Sequence, residues 1–189
     1  MKQRVLLGVL FFSIFQNLVL AQELTIVAYN VEFSRTAKYS KITDLHAPLK
    51  PDIIGFSEVP NGGWTKKVVY GNHILQYPQL THKHYGRFKS ILSKHPIVEG
   101  RDVVTQGDGW KPTGAICGII ISEGDTVTVY SLHVPTGIKD SLTSASFDLI
   151  KYLELNHRVN DKVILAGYFN DVNYSQSMNL YYKNGFEST

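Results

Sequence analysis

The chain has 189 residues, of which 43% are hydrophobic and 12% aromatic. This length and this apolar fraction are typical of one globular domain with a buried core, and they exclude an intrinsically disordered chain. The formal net charge is only +3. A balance this close to neutral does not indicate a strongly basic groove for long nucleic acids, although it leaves room for a local basic patch.

The N-terminal segment has the features of a secretion signal. Lys2 and Arg4 precede an apolar run from Val5 to Phe15, and Val19-Leu20-Ala21 provides a cleavage region ahead of Gln22. We therefore predict a Sec-type signal peptide over residues 1–21 and a mature domain over 22–189. Removal of the two basic residues of the leader leaves 17 basic against 16 acidic residues, a net charge of +1.

An uncleaved membrane-spanning helix is the alternative for this segment. A spanning helix needs about 20 mostly apolar residues, whereas this run is interrupted by Ser13, Gln16 and Asn17. We expect a secreted or periplasmic protein with no stable membrane anchor after cleavage. The sequence does not indicate the oligomeric state.

Short runs rich in β-branched residues alternate with segments of helical spacing after the leader. The predicted strands are Leu24–Asn30, Asp52–Ser57, Phe88–Leu92, Ala115–Ser122, Thr126–His133 and Lys162–Tyr168. Helices are predicted from the spacing of Tyr39, Ile42, Leu45 and Leu49, from Leu142 to Leu153 with Asp140 or Ser141 as cap, and from Tyr174 to Lys183 with Gly185 as stop. The turn at 122–125 predicts an antiparallel hairpin, so the fold class is a mixed α/β (α+β) architecture.

Cys117 is the only cysteine, so no disulfide can form within the chain. It lies inside the apolar run 115–121, which favours a buried packing role over a nucleophile.

Four polar residues stand at the ends of apolar strands: Asn30, Glu58, His133 and Asn170. Rigid strand ends can direct such side chains into one site. A glutamate oxygen suits Mg²⁺ or Mn²⁺, and an asparagine adds a neutral oxygen or orients a water. Imidazole suits proton transfer or hydrogen bonding to phosphate, and a second amide can stabilise a transition state. Each residue taken alone also fits a structural role at a strand end or turn.

Taken together and in chain order, the strand-end motifs resemble the endonuclease/exonuclease/phosphatase superfamily, which includes deoxyribonuclease I-like nucleases, abasic-site endonucleases, sphingomyelinases and inositol phosphatases. The motifs are Tyr29-Asn30, Pro51-Asp52-Ile53-Ile54 with Glu58-Val59, Ser93-Lys94-His95-Pro96-Ile97, Leu132-His133 and Gly167-Tyr168-Phe169-Asn170. The match runs from residue 24 to about residue 187, which is nearly all of the mature chain.

The resemblance implies a four-layer α/β/β/α sandwich that hydrolyses a phosphoester with Mg²⁺ or Mn²⁺. It implies that Glu58 and Asn30 bind the metal, that His133 contacts the phosphate and that Asn170 stabilises the nucleophile or a phosphoryl oxygen. The substrate class stays open between a small molecule, a nucleic acid and a lipid headgroup.

Further candidates carry less information. Arg87 and Lys89 precede the Ser93 turn and are predicted either to contact phosphate or to lie as alternating cations on an exposed strand face. The remaining histidines match no motif and are interpreted as surface or packing residues: His46, His73, His82, His84, His95 and His157.

The sequence departs from the superfamily pattern in two places. The second residue of the Gly-Asp-Phe-Asn loop, an aspartate credited with orienting or deprotonating the attacking water, is Tyr168 here. A phenol with a reference pKa of about 10 presents no carboxylate at neutral pH, and Asp171 lies three positions further along. The chain also stops at Thr189, before the closing Ser-Asp-His motif. We therefore expect a C-terminally incomplete sandwich with exposed edges.

Three functional hypotheses follow. The first is an exported metal-dependent phosphohydrolase whose activity is impaired in this chain. The second is a catalytically inactive family fragment or phosphate-binding pseudoenzyme. The third, a secreted carbohydrate or protein binder, rests only on Trp64 and Trp110.

Overall fold

A computed structural model describes residues 23–32, 47–59, 82–84, 87–105, 113–122, 124–134, 139–171 and 175–188. These ranges contain eight strands and two α-helices, with a short 3-10 turn at Ala47–Leu49. The strands are β1 (Ile26–Asn30), β2 (Ile53–Val59), β3 (His82–His84), β4 (Arg87–Ser93), β5 (Ile97–Thr105), β6 (Thr113–Ser122), β7 (Asp125–His133) and β8 (Lys162–Tyr168). The helices are α1 (Lys139–Asn156) and α2 (Gln176–Lys183).

The strands form two four-stranded sheets with the orders β1-β2-β4-β3 and β5-β6-β7-β8. The pairs β1–β2 and β7–β8 are parallel, and the other neighbours are antiparallel. The predicted hairpin is confirmed, since Ser122 pairs with Asp125 at the turn between β6 and β7. Mixed sheets with helices confirm the mixed α/β fold class.

The two sheets pack face to face, with β1 over β8, β2 over β7 and β4 over β6. Alternation along each strand sends every second apolar side chain into the space between them. That core contains Ile53, Ile91, Ile97, Ile116, Ile120, Val127, Val129 and Ala166. One bond also crosses the space, because the Ser131 hydroxyl donates to the Phe56 carbonyl at 3.1 Å.

The opposite face of the second sheet is covered by α1 and α2. Cys117, Tyr130 and Leu132 point to this side and pack against Leu149, Leu153 and Tyr181 of the helices. Cys117 is buried as predicted, and burial raises the pKa of its thiol. The described ranges thus contain three layers of the predicted four-layer sandwich, namely the two sheets and the helices that cover one of them. The helix predicted around Tyr39 to Leu45, which would supply the fourth layer, lies outside the described residues, as does the predicted signal peptide.

The six predicted strands are confirmed with shifts of a few residues, whereas β3 and β5 were not predicted. β5 begins inside the Ser93–Ile97 motif and contains Glu99, Arg101 and Asp102, which break the apolar pattern. It is an edge strand of the described sheet, and Glu99 and Arg101 are exposed there at little cost. The helix expected from Tyr174 begins at Gln176 with Ser175 as its N-cap, and Gly185 follows its end with a φ of 83° as predicted.

Two of the superfamily motifs meet at the end of the first sheet where β2 begins. The Asp52 carboxylate accepts a bond from the Thr25 backbone N–H at 2.9 Å and another from the Lys94 ammonium at 2.8 Å. Lys94 also donates to the Lys50 carbonyl at 2.9 Å. These bonds join the start of β1, the start of β2 and the turn after β4, which gives the Pro-Asp and Ser-Lys motifs a structural role.

Within the described ranges, no helix is both long enough and apolar enough to cross a membrane.

Candidate active site

The carboxyl ends of the two parallel strand pairs meet at one edge of the sandwich. Asn30 pairs with Ser57 at the end of β1–β2, and His133 pairs with Tyr168 at the end of β7–β8. Each parallel pairing extends one residue further. The backbone N–H of Val31 donates to the Ser57 carbonyl, and the backbone N–H of Val134 donates to the Tyr168 carbonyl. Side chains that leave these ends can therefore converge.

Glu58 reaches this edge because β2 contains a β-bulge. The pairing of β2 with β4 shifts between Phe56 and Val59, so Ser57 and Glu58 together oppose Lys89. Glu58 has a φ of 54°, a left-handed conformation that is rare for a side chain of this kind. Such strain is retained mainly where a side chain must be re-aimed, and here it turns the carboxylate toward the second sheet.

His133 lies between Glu58 and Asn170. Its Nε2 is 3.4 Å from Glu58 Oε1 and 3.0 Å from Asn170 Nδ2, and the ring is buried. The two contacts require opposite roles of Nε2, since an amide N–H donates to a neutral imidazole whereas a carboxylate accepts from a protonated one. The shorter contact, to Asn170, favours a neutral imidazole whose Nε2 accepts a hydrogen bond. A protonated imidazole would instead donate from Nε2 to Glu58.

Asn170 is held by the backbone beyond β7. Its Nδ2 also donates to the Val134 carbonyl at 2.5 Å, and its φ of 53° is left-handed. Asparagine adopts this conformation more readily than most residues. The amide is therefore fixed against both β7 and the imidazole of His133.

The loop that carries Asn170 sits tightly against the neighbouring strand. A Cβ at Gly167 would overlap the Leu132 carbonyl oxygen, so only glycine fits there. Phe169 points away from the site and packs edge-on against Tyr181 of α2, with ring centroids 5.3 Å apart. Glycine and phenylalanine in this loop thus fix the backbone from which the Asn170 side chain extends.

Comparison with solved structures gives matches with this architecture. A mannosyl-6-phosphatase of Bacteroides thetaiotaomicron matches with a TM-score of 0.71 and 21% identity, covering 86% of this chain and 71% of that chain. An endonuclease/exonuclease/phosphatase family protein of Bacteroides thetaiotaomicron matches with the same TM-score and identity, covering 86% and 69%.

The chain has the endonuclease/exonuclease/phosphatase fold. TDP2 of D. rerio, solved with a single-strand DNA product, is similar at a TM-score of 0.63 and 15% identity, covering 79% of this chain and 62% of that chain. The resemblance drawn from the motifs is confirmed at the level of the fold. No family model matches the sequence, and no curated protein matches it.

Tyr168 stands at the motif position for which the sequence resemblance implies an aspartate. Its ring stacks on His133 with centroids 5.7 Å apart and planes inclined by 21°, and 48% of the residue is exposed. Asp171 does not take its place, because its carboxylate accepts bonds from the hydroxyls of Ser175 and Ser177 at the start of α2.

Asn30 lies at the same edge but makes a local bond. Its Oδ1 accepts a hydrogen bond from the backbone N–H of Glu32 at 3.0 Å. Such a bond within a turn is the structural role predicted for Asn30 as the alternative to metal binding. An amide oxygen has two lone pairs, so this bond leaves one acceptor direction for a second partner. The role of Asn30 as a metal ligand stays a prediction.

Of the two cationic residues before the Ser93 turn, the structure describes the side chain of Lys89 but not that of Arg87. Arg87 begins β4, and its side chain lies outside the described residues, so its predicted phosphate contact stays a prediction. Lys89 is only 5% exposed. The expectation of an exposed strand face is therefore wrong for Lys89, because this residue shares its strand face with Ile91, which packs in the core between the sheets.

The oxygen atoms of Glu58 and Asn30 at this edge of the sandwich fit a weak binding site for a hard cation. No group of three or more histidine, cysteine or acidic side chains within the described ranges has a metal-binding arrangement. Mg²⁺ is nevertheless bound in many proteins by one or two carboxylates, with waters and substrate phosphate completing the shell. Glu58 provides one carboxylate and Asn30 one neutral oxygen, so the oxygen donors suit Mg²⁺ or Mn²⁺ but bring little negative charge.

Proposed function

We propose that this chain is a metal-dependent phosphoester hydrolase with impaired water activation. The observation that carries the proposal is the meeting of Glu58, His133 and Asn170 at one edge, where His133 Nε2 lies 3.4 Å from Glu58 Oε1 and 3.0 Å from Asn170 Nδ2. These residues come from β2, from β7 and from the loop after β8, so two sheets must pack correctly to assemble them. The endonuclease/exonuclease/phosphatase fold supports the same reaction class.

Glu58 and Asn30 would hold Mg²⁺ or Mn²⁺ in this proposal. When bound, the cation would neutralise charge on the phosphate oxygens. Glu58 is mostly buried, with 14% of its side chain exposed. A carboxylate in such a position binds a cation more strongly than one in bulk water, because the local dielectric constant is lower.

His133 and Asn170 are the proposed phosphate-binding residues. The two N–H groups of the Asn170 amide donate to the Val134 carbonyl and to His133. Donation to a phosphoryl oxygen would therefore replace the bond to His133, while the bond to Val134 keeps the amide in place to stabilise developing charge. His133 is held between a carboxylate and an amide, so it can donate a hydrogen bond to the phosphate or a proton to the leaving group. Both residues bind and orient the substrate, and neither supplies a carboxylate base.

Impairment is proposed from Tyr168. A phenol has no carboxylate with which to take a proton from water as an aspartate would. The stacked ring also covers one face of the His133 imidazole. Hydrolysis in this chain is therefore expected to be slow, with substrate binding better preserved than turnover.

A small phosphodiester or phosphomonoester is the proposed substrate. The near-neutral mature chain provides little electrostatic attraction for a long polyanion, whose binding depends on many cationic contacts. Hydrolysis of bis-p-nitrophenyl phosphate, plasmid DNA and sphingomyelin should be assayed in parallel, with Mg²⁺ or Mn²⁺ and with chelator. Chelator-sensitive turnover of the small diester supports the proposal, and no turnover of any substrate contradicts hydrolysis.

A phosphate-binding pseudoenzyme is the second candidate. It is favoured by one observation, the replacement of the expected loop carboxylate by Tyr168 while Asp171 is bound to α2. This candidate predicts that inorganic phosphate binds in the presence of Mn²⁺ although no substrate is turned over. Turnover that depends on Glu58 would exclude it.

Export is proposed from the leader. We expect that cells expressing residues 1–189 release a product whose N-terminus is Gln22, because Val19-Leu20-Ala21 precedes the proposed cut. N-terminal sequencing of the protein from the periplasm or medium measures this directly. Retention of the intact leader in the membrane fraction would contradict cleavage.

A further inference from the structure

Tyr168 presents an aromatic ring beside the residues proposed to bind phosphate. Its side chain stacks on His133, with ring centroids 5.7 Å apart and planes inclined by 21°. Ala166, two residues before Tyr168 in β8, packs in the core between the sheets, so the Tyr168 side chain leaves the same face of the strand. The ring therefore lies at the end of the space between the sheets, at the edge where Glu58 and Asn170 contact His133.

The stack covers one face of the Tyr168 ring and leaves much of the side chain open to solvent. Tyr168 is 48% exposed, whereas residues 163–167 of the same strand are buried or partly buried. Within the described ranges β8 is the last strand of the second sheet, so no described strand lies beside Tyr168 on the side away from His133. This open side suits a planar group, because aromatic rings stack in offset geometry with centroids about 4.5–7 Å apart.

We infer that Tyr168 is a substrate-binding residue that selects phosphoesters whose ester oxygen carries an aromatic ring. The inference deepens the proposed function and rests on it for the position of the phosphate at His133 and Asn170. An aryl ester joins its ring to phosphorus through a single oxygen atom. A phosphate bound by His133 therefore brings that ring next to Tyr168, which is in contact with His133. A nucleobase is separated from its phosphate by a sugar and would lie further away.

The stack on His133 also fixes the Tyr168 ring before a substrate binds. A tyrosine side chain has only two rotatable χ angles, and contact with the buried imidazole restricts them further. A side chain that is already held loses little conformational entropy when a second ring stacks on it. The residue that has no carboxylate for water activation would thus contribute to substrate recognition.

Binding of benzylphosphonate tests the inference without turnover, because a methylene group replaces the ester oxygen and the P–C bond is not hydrolysed. Calorimetric titrations in the presence of Mn²⁺ compare it with cyclohexylmethylphosphonate, whose ring has a similar size but is not planar. The wild type should bind benzylphosphonate about fivefold to tenfold more tightly than the cyclohexyl compound. Equal affinities for the two compounds would overturn the inference.

Substitutions at Tyr168 assign the preference to this ring. Tyr168→Leu should remove the preference for benzylphosphonate, whereas Tyr168→Phe, which keeps the ring, should retain it. Phe147→Leu is the matched control, because Phe147 is an aromatic residue on α1 that is 57% exposed. A preference that persists in Tyr168→Leu, or that is lost in Phe147→Leu instead, would overturn the inference.

Urea unfolding of each variant controls for stability. Tyr168 is half-exposed at the end of β8, so its replacement should change the free energy of unfolding little. Tyr168→Val, whose β-branched side chain suits a strand, is a second variant and should lose the preference as well. A folded Tyr168→Val that still prefers benzylphosphonate would contradict the role of the ring.

Titrations with inorganic phosphate and thymidine monophosphate separate the inference from the proposed function. A wild type that binds inorganic phosphate but does not prefer the aromatic phosphonate retains the proposed function and contradicts the inference. Binding of thymidine monophosphate that depends on Tyr168, without a preference for benzylphosphonate, would contradict the aryl class of substrate. A wild type that binds neither phosphate nor either phosphonate contradicts the proposed function, and the inference falls with it.

Discussion

The aromatic ring of Tyr168 stacks on the imidazole of His133, with centroids 5.7 Å apart. The two residues are register partners at the ends of parallel strands β7 and β8, so the stack follows from the pairing of the sheet. Tyr168 thus covers one face of the His133 ring. The edge brings together Glu58, His133 and Asn170, and it has a half-exposed phenol at the motif position for which the sequence resemblance implies a carboxylate.

Glu58→Gln should weaken Mn²⁺ binding by about tenfold or more, because the one carboxylate that the described site offers becomes neutral. Calorimetric titration with MnCl₂ measures the change. Glu99→Gln is the matched control, since Glu99 is exposed on β5 and paired with Arg101. Equal Mn²⁺ affinities for the wild type and Glu58→Gln would show that the metal binds elsewhere.

Asn170→Ala should weaken the binding of inorganic phosphate by about tenfold, since hydrogen bonds to charged groups contribute about 1.5–3 kcal/mol. The variant also frees the Val134 carbonyl that Asn170 holds. Phosphate titration in the presence of Mn²⁺ provides the measurement. Asn156→Ala is the control. The Asn156 amide, at the end of α1, donates to the backbone carbonyl of Tyr152, so its removal should leave phosphate affinity unchanged. Loss of affinity in both variants would contradict a specific role for Asn170.

Asp52→Asn should reduce the free energy of unfolding by about 1–2 kcal/mol, because it weakens charged bonds to Thr25 and Lys94. Mn²⁺ affinity should not change, since Asp52 lies at the far end of β2. Urea unfolding and the same metal titration test both statements. A large loss of Mn²⁺ affinity in Asp52→Asn would contradict the separation of the structural motif from the site.

The same carboxyl gives a pH dependence. Burial raises the pKa of Asp52, but the bonds from Lys94 and Thr25 outweigh burial and the net pKa is lowered. The stability that Asp52 contributes is therefore fully present above its unfolded pKa of about 3.9 and is lost as pH falls through the lowered folded value. The difference between the wild type and Asp52→Asn should shrink below about pH 4, and a difference that grows in acid would contradict the assignment.

Alkaline pH should destabilise the protein through buried tyrosines. Burial raises the pKa of Tyr181 to about 12 and that of Tyr130 further in the same direction. Because an unfolded tyrosine ionises near pH 10, stability is fully present below that pH and falls as pH rises toward 12. Tyr181 alone accounts for at most about 2–3 kcal/mol. Urea unfolding between pH 9 and about 11.5 should show a shallower decline for Tyr181→Phe, and parallel curves would contradict this account.

The sequence predicted the strands that end in Asn30, Glu58 and His133 because β-branched runs and strand-end polar residues are local signals. It did not predict the bulge at Glu58, since a bulge exists only relative to the paired strand. The burial of Lys89 was not predicted for a similar reason. The alternation of Arg87 and Lys89 also fits a solvent-exposed face, whereas the packing of the two sheets buries the face that Lys89 shares with Ile91.

The loop after β8 shows the same limit. Asp171 lies three positions beyond Tyr168, and nothing in the sequence indicated that it could replace the missing carboxylate; in the fold, Ser175 and Ser177 bind it at the start of α2. The stacking of Tyr168 on His133 depends on strand register, which no local pattern specifies. Residue types were therefore readable from the sequence, whereas the partners of Glu58 and Asp171 and the burial of Lys89 depended on tertiary structure.

The most direct test of a site impaired by Tyr168 is the Mn²⁺-dependent hydrolysis of bis-p-nitrophenyl phosphate by Tyr168→Asp. A carboxylate at this position should raise the rate by about tenfold or more over the wild type, because general base catalysis contributes about 10²–10⁴-fold when correctly placed. Tyr168→Phe keeps the ring without its hydroxyl and should stay at the wild-type rate. Adding Glu58→Gln to Tyr168→Asp should abolish the gain. No increase in Tyr168→Asp, in a folded protein that binds Mn²⁺ and phosphate, would contradict the account.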